Sequence, residues 1–430
     1  MKKILVIGGG LSGLSSAVFL SKAGYNIEII EASPQMGGRT YSLNYHETKV
    51  DNGQHILMEC YSNALKFIDI IGARDLFEFQ KSLSVNYIDK KKEHFQFKLP
   101  KYFYPLNQLI GIMNFRLLKI KDRFSVLKIF LKIKNFNTNN IIDKSVYEFL
   151  KSNGQSEDAI IKFWESLIVS TMNTSTNIAS SKIFIDMMKI IFFKHKKNAN
   201  IVIPIVDLSA ALIEPAIRFL KEKNVKISNS ERINSIKFVN EKAVEIETNK
   251  RKINNFDIVI SAVPEYSLRK INLNNLSTKI IFPKLEYIPI VTVHVWLKDN
   301  PLTEKMYNLI GSEFDWVFNH NTHISFVKSN AKKLVRLNKK YVIKIVLSEL
   351  KKYFTILNHL EIKDYIMLKE QRATFIPNLY SINERKSMLT SINNFFIIGD
   401  WTDTGLPATI EGAIKSGKNV TQKIILNNFN

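Results

Sequence analysis

The sequence predicts an α/β fold: a nucleotide-binding lobe around a parallel sheet, accompanied by a second, α+β lobe. Three observations carry this expectation. A short apolar strand runs into a glycine turn, a helix and a second strand within residues 1 to about 40. A second strand–turn–helix, Asn394 to Gly417, stands near the other end of the chain. Buried-type strands at Val225 to Ile227 and Phe256 to Val263 lie far from both. At 430 residues the chain is long enough for two or three cores.

The N-terminal unit is the most explicit. Ile4 to Ile7 is a continuous apolar run, as a strand buried on both faces requires. It enters Gly8-Gly9-Gly10-Leu11-Ser12-Gly13, in which Gly8, Gly10 and Gly13 have Gly-x-Gly-x-x-Gly spacing. Gly8 permits the tight turn, Gly10 admits a pyrophosphate to the backbone, and Gly13 lets helix and strand pack closely. The helix from Leu14 to Ala23 stops at Gly24. Its N-terminus offers N–H groups and partial positive charge to phosphates, with Leu11 and Ser12 at the first turn. The second strand, Asn26 to Ile30, ends at Glu31-Ala32. Glu31 lies where an acid accepts hydrogen bonds from an adenosine ribose, and disfavours a 2′-phosphate. This unit is Rossmann-like and binds a dinucleotide.

Two further segments choose the dinucleotide. Gly37-Gly38-Arg39-Thr40 follows the second strand. Paired glycines and an arginine suit close backbone approach and a charge-assisted pyrophosphate contact. Near the C-terminus, Phe395 to Ile398 ends in Gly399-Asp400, and a helix begins near Ala408. Both segments resemble flavoproteins of the amine oxidase and phytoene desaturase superfamily. That resemblance implies noncovalent FAD. It makes Asp400 the acid at the ribityl-phosphate part, with Gly399 beside it. Thr409 or Ile410 then offers an N–H to the flavin pyrimidine ring, and a backbone group near Ile233 contacts the adenine. A helix N-terminus there stabilises the negative charge the ring gains on reduction.

By the same resemblance, residues 1–75, 203–270 and 386–430 form the FAD-binding domain, and 76–202 and 271–385 the substrate domain. The helical pattern from about Ala210 to Lys223, with Pro215 inside it, belongs to the middle piece. The substrate domain is expected to be helical in its first piece and mainly stranded in its second, as at Ile288 to Leu297 and Trp316 to Val327.

Asp51-Asn52-Gly53-Gln54-His55, with Cys60-Tyr61 downstream, resembles the hydroxysqualene dehydroxylases, also described as squalene-associated FAD-dependent desaturases. Phe163 to Leu167 leading to Met172-Asn173-Thr174, Val206 to Ser209 with Glu214-Pro215-Ala216, and Gly399 to Gly412 agree. Glu59 departs from the pattern, and residues 85–140 match it poorly. The resemblance implies reductive removal of an allylic hydroxyl to give squalene for hopanoid synthesis. Hydride delivery to an allylic cation fits reduced flavin, and the departing hydroxyl calls for a general acid. His55 is the first candidate and Asp403 the second, while Gln54 orients flavin or loop. A phytoene- or dehydrosqualene-type desaturase, a flavin amine oxidase and a noncatalytic lipid escort are the competing readings.

Composition narrows the rest. No apolar run approaches the ~20 residues of a membrane-spanning helix. Lys2 to Ile7 already reads as strand, so no removable leader is expected. The single cysteine, Cys60, excludes an internal disulfide and a thiolate metal cluster, and a cytoplasmic location is expected. The net charge is +22, but the lysines are dispersed and no nucleic-acid module is present. His320 and His323 fall in a polar turn and read as solvated, so no metal is expected. A C30 hydrocarbon implies an apolar tunnel and peripheral contact with the membrane. Residues 101–134, where Tyr102, Phe103, Leu106, Ile110, Ile112, Phe115 and Leu117 alternate with lysines and arginines, are the candidate surface. The sequence does not name the electron donor.

Overall fold

The computed structural model describes residues 2–138, 142–273, 282–298, 300, 302–354, 361–385, 390 and 392–426. The proposed domain boundary at 386 lies outside the described residues.

A five-stranded parallel sheet carries the first lobe. Its strands run Lys226–Ser228, Asn26–Ile30, Lys3–Ile7, Ile258–Ser261 and Phe395–Ile397, in that spatial order. Apart from the edge strand Lys226–Ser228, each is short and mainly apolar on both faces, as a covered parallel sheet demands. The helix Leu11–Lys22 is buried along almost its whole length. It packs against the C-terminal helix Ile410–Leu426, so the two ends of the chain meet. Gly417 lets the two helices approach closely, while Gly13 packs the first helix against the turn after the first strand. A Cβ on Gly13 would lie 1.9 Å from the Gly8 carbonyl oxygen, and one on Gly417 2.4 Å from Ser15 Oγ.

The middle helix begins with a π-helical turn, Ser209–Ile213, and becomes regular over Glu214–Glu222. Pro215 is the second residue of the regular segment and directly follows the π-helical turn. Beneath the first sheet Glu28 is buried in the second strand. Burial raises its carboxyl pKa, but hydrogen bonds from Arg251, Lys226 and Lys3 outweigh that and hold it below the ordinary range.

The second lobe is built on a seven-stranded sheet. The order is Ile362–Phe375, Tyr287–Leu297, Ile324–Lys328, Trp316–Asn319, Met306–Leu309, Ser84–Ile88 and His94–Lys98. The expectation of a purely helical first piece is therefore corrected. Ser84–Ile88 and His94–Lys98 complete the sheet, Ser84–Ile88 pairing parallel with a strand over 200 residues away. Val85, Tyr87 and Phe97 supply the apolar alternation that lets them do so. The second piece in turn contains the helix Lys339–Tyr353. The helices of the first piece enclose an aromatic core of Phe115, Phe130, Phe149, Phe163, Trp164 and Phe184. A small sheet of Leu57–Met58, Ile201–Pro204 and Phe77–Phe79 ties the lobes together.

No helix among the described residues is long and apolar enough to cross a membrane.

Candidate active site

One cavity of about 650 Å³ runs from the glycine turn of the first lobe to the aromatic core of the second. Gly8, Gly10, Leu11, Ser12, Glu31, Ala32, Gly38, Arg39, Thr40, Gly399, Asp400, Thr409 and Ile410 all border it. Chain segments nearly 400 residues apart thus meet around one space.

The residues at this end fit FAD. Gly10 begins the first helix, and no side chain caps it. A Cβ on Gly10 would meet only Gly38 Cα, at 3.9 Å. The protein itself does not demand glycine there; the space a side chain would take is the cavity. Glu31 accepts hydrogen bonds from the Gly9 N–H at 2.6 Å and the Ser33 N–H at 2.7 Å, which hold its carboxylate at the end of the second strand. Thr374 Oγ1 is buried on the cavity wall without a protein partner. At the C-terminal helix the Thr409 hydroxyl accepts from the Gly412 N–H at 3.0 Å, so Thr409 is the cap. The earlier N–H groups of that turn, Ile410 among them, sit at the cavity wall.

Arg39 donates to Asp400 Oδ1 at 2.7 Å and to the Ala373 carbonyl at 2.7 Å. Burial works against its charge, but the neighbouring Asp400 carboxylate keeps its pKa above the ordinary value. Two donors are spent on the protein, and the remainder of the fork is what a pyrophosphate would use.

Three expected residues do not line the cavity; one, Gly13, packs the first helix against the Gly8 turn instead. Ile233 is not among the residues lining the cavity. It is buried in the apolar cluster that includes Leu5, Ile7 and Ile30, beside a chain held to the second strand by the Glu231 N–H donating to the Glu31 carbonyl. Asp403 is exposed and does not line the cavity, because the turns Thr402–Gly399 and Thr404–Thr402 direct it outward. It is withdrawn as a candidate acid.

The loop 51–55 is fixed from three sides. Asp51 Oδ1 accepts from the Ser42 hydroxyl at 2.7 Å and the Leu208 N–H at 2.9 Å, while its carbonyl meets His294 Nε2 at 3.1 Å. Burial pushes its carboxyl up to about 6. Asn52 donates to Glu370 at 3.3 Å. Gln54 and His55 then face the cavity, half-buried. Burial lowers His55 to about 4, helped by the Arg39 charge and opposed by a hydrogen bond with the Asn52 backbone. At neutral pH its imidazole is neutral and a weak proton donor.

Several wall residues escaped sequence reasoning. Tyr266, Glu370, Ala373 and Thr374 arrive from the second lobe or its approach. Arg385 is buried and donates to the carbonyls of Asp400 at 3.3 Å and Leu406 at 2.8 Å, and also to that of Thr402, stapling the turn that presents Asp400. Burial lowers its pKa to about 10. No local motif marks it, since its partners lie 15 to 21 residues away. The expectation that His320 and His323 are solvated is also corrected. His323 is buried, and both rings join His294 behind the loop. Burial lowers His294 and His320 to about 4 and His323 to about 2.

Beyond the loop the cavity becomes apolar, lined by Leu83, Val85, Phe97, Phe163, Trp316 and Phe318. Its charged wall residues, Glu31, Arg39, Glu370 and Asp400, are each engaged by partners at the cofactor end.

Comparison with known proteins agrees with this arrangement. A hydroxysqualene dehydroxylase of Zymomonas mobilis is 27% identical over 424 residues, covering 96% of each chain. A 15-cis-phytoene desaturase of Glycine max is 21% identical, over 98% of this chain and 79% of its own. Among solved structures, an oxidoreductase from Methanosarcina mazei superposes with a TM-score of 0.76 at 18% identity, covering 98% of this chain and all of its own. The model of the family described as flavin containing amine oxidoreductase matches residues 11–425. The chain therefore belongs to that family, as an FAD-dependent oxidoreductase.

Proposed function

We propose that this enzyme removes the allylic hydroxyl of a long-chain isoprenoid, converting hydroxysqualene to squalene. The observation that carries the reading is the continuity of one cavity from the FAD cradle into an apolar, aromatic-walled end. Relatives named hydroxysqualene dehydroxylase cover nearly the full chain and support it. FAD, bound in reduced form, supplies two electrons as hydride. The allylic C–O bond breaks, a C–H bond forms, and the hydroxyl leaves as water with a proton that fully reduced FAD, carrying two electrons and two protons, would also bring.

The chain's own residues have three tasks. The apolar wall holds the hydrocarbon and excludes water. Gln54 and the neutral His55 hydrogen-bond at the reacting end; with its pKa at about 4, His55 orients the hydroxyl instead of serving as an imidazolium acid. Asp51, held by Ser42, Leu208 and His294, keeps both in place. An amine substrate fits less well, because the charged wall residues are engaged at the cofactor end and none faces a cation beyond it.

The entrance is assigned to an interfacial surface. Tyr102, Phe103, Leu106, Ile120, Phe124 and Leu131 are exposed beside Lys101, Lys119, Lys121 and Lys128. Apolar tips with basic flanks suit an anionic bilayer. Ile112, Phe115 and Leu117 from the same stretch are core residues and take no part.

Co-expression with a presqualene pathway that stops at hydroxysqualene, followed by lipid analysis, tests the proposal. Squalene is the expected product. A conjugated polyene would replace the reading with a desaturase, and unchanged hydroxysqualene would refute it.

A further inference from the structure

Behind the loop 51–55, outside the cofactor cavity, three histidines from neighbouring strands meet. His294 lies in the strand Tyr287–Leu297. His320 and His323 frame the turn between Trp316–Asn319 and Ile324–Lys328, closed by the His320 N–H donating to the His323 carbonyl at 2.9 Å. One ring nitrogen from each lies within 4.8 Å of the other two. We propose that His294, His320 and His323 bind a divalent transition-metal ion of the zinc class.

The ring nitrogens are already sorted between protein partners and one another. His294 Nε2 lies 3.1 Å from the Asp51 carbonyl, which can only accept, so Nε2 carries the proton and Nδ1 is a lone pair. His323 Nδ1 lies 3.1 Å from Thr322 Oγ1, and His320 Nε2 lies 2.9 Å from Ser325 Oγ. Each ring therefore spends one nitrogen on a protein oxygen. That is the outer shell metal-binding histidines ordinarily have, and it fixes ring orientation. The remaining nitrogens of His294 and His323, Nδ1 and Nε2, face one another at 3.2 Å. Two imidazole nitrogens ~2.0–2.1 Å from a tetrahedral ion are separated by roughly 3.3 Å, so this contact has the length of one edge of such a site.

Neighbouring rings hold the arrangement. Trp296 stacks on one side of the cluster, its ring centroid 4.9 Å from that of His323. His320 lies nearly parallel to His323, with centroids 4.5 Å apart, so its ring must turn out of the stack to bring its free nitrogen to a shared ion. Imidazoles without thiolate suit zinc, copper, nickel or iron, and not magnesium or calcium. His294 and His323 are buried, while His320 is half-exposed and leaves a route in.

A hydrogen-bond chain is the competing account. His323 Nε2–H could donate to His294 Nδ1, with the Thr322 hydroxyl donating to His323 Nδ1. That chain satisfies His294 and His323 fully and has no use for His320. The metal site needs all three rings. An ion there would clamp the turn 320–323 to the strand whose His294 holds the Asp51 carbonyl, and so stiffen the flavin-facing loop from behind. The proposal is independent of which substrate the cavity takes.

The test uses full-length holoprotein without a polyhistidine tag, stripped with chelator and titrated with zinc chloride by calorimetry. One Zn²⁺ per chain is expected. His320→Gln, a half-exposed position, should weaken binding by at least about tenfold with the flavin spectrum unchanged. His323→Gln should do the same. Absence of stoichiometric binding, or binding undiminished in folded His320→Gln holoprotein, would overturn the site and leave the rings as a hydrogen-bond chain.

Discussion

His55 borders the cavity as its place in Asp-Asn-Gly-Gln-His suggests, but its protonation state follows from surroundings the motif does not contain. Burial and the Arg39 charge depress it to about 4, against an ordinary 6.5. Folding with a neutral His55 therefore contributes stability that is complete above pH 6.5 and is lost as pH falls through 6.5 toward 4. His55→Asn should flatten that part of the curve. We expect the wild-type minus variant difference in unfolding free energy to fall by up to about 1.4 kcal/mol per pH unit between pH 6.5 and 4. Parallel curves would show that His55 titrates normally. Residues with local jobs were legible in this way: Gly10, Glu31 and Asp400 each follow an apolar strand, and strand ends announce themselves. Arg385, Thr374 and the three histidines were not, because each gains its role from a partner brought by strand pairing or a distant turn. Asp403 shows the converse. It lies three residues beyond Asp400, within a motif, yet two tight turns send it outward.

At the level of elements, the first strand–turn–helix separates two demands on glycine that spacing alone runs together. Gly13 is held by packing, since its Cβ would sit 1.9 Å from the Gly8 carbonyl oxygen. Gly10 is held by the space beside it, since its Cβ meets nothing closer than 3.9 Å. Gly13→Val should therefore cost at least about 3 kcal/mol through overpacking and yield little folded protein. Gly10→Val should fold and lose FAD, with flavin content reduced at least tenfold. Circular dichroism and flavin absorbance on the same preparations distinguish the two. A yellow Gly10→Val protein would show that the phosphates do not lie at that turn. The strands of the first sheet were readable because a covered parallel strand is a continuous apolar run. Ser84–Ile88 and His94–Lys98 were missed because their alternation is short and their place depends on the partner Met306–Leu309.

For the whole molecule, the two lobes share one cavity, and the second lobe exposes the apolar and basic side chains for which contact with an anionic bilayer is proposed. Phe103→Glu combined with Phe124→Glu should reduce sedimentation with anionic phospholipid vesicles several-fold and leave the flavin spectrum unchanged. Equal sedimentation of the double variant would remove that surface from the account. At an anionic surface the net charge of +22 would add electrostatic attraction to apolar insertion.

FAD and a hydroxylated isoprenoid at opposite ends of one cavity should react with each other in an anaerobic single turnover. Holoprotein reduced to its two-electron level is mixed with hydroxysqualene, while flavin absorbance and squalene are followed together. Reoxidation with one squalene formed per flavin is expected. Flavin that stays reduced in the presence of hydroxysqualene, or reoxidises without squalene appearing, would contradict it.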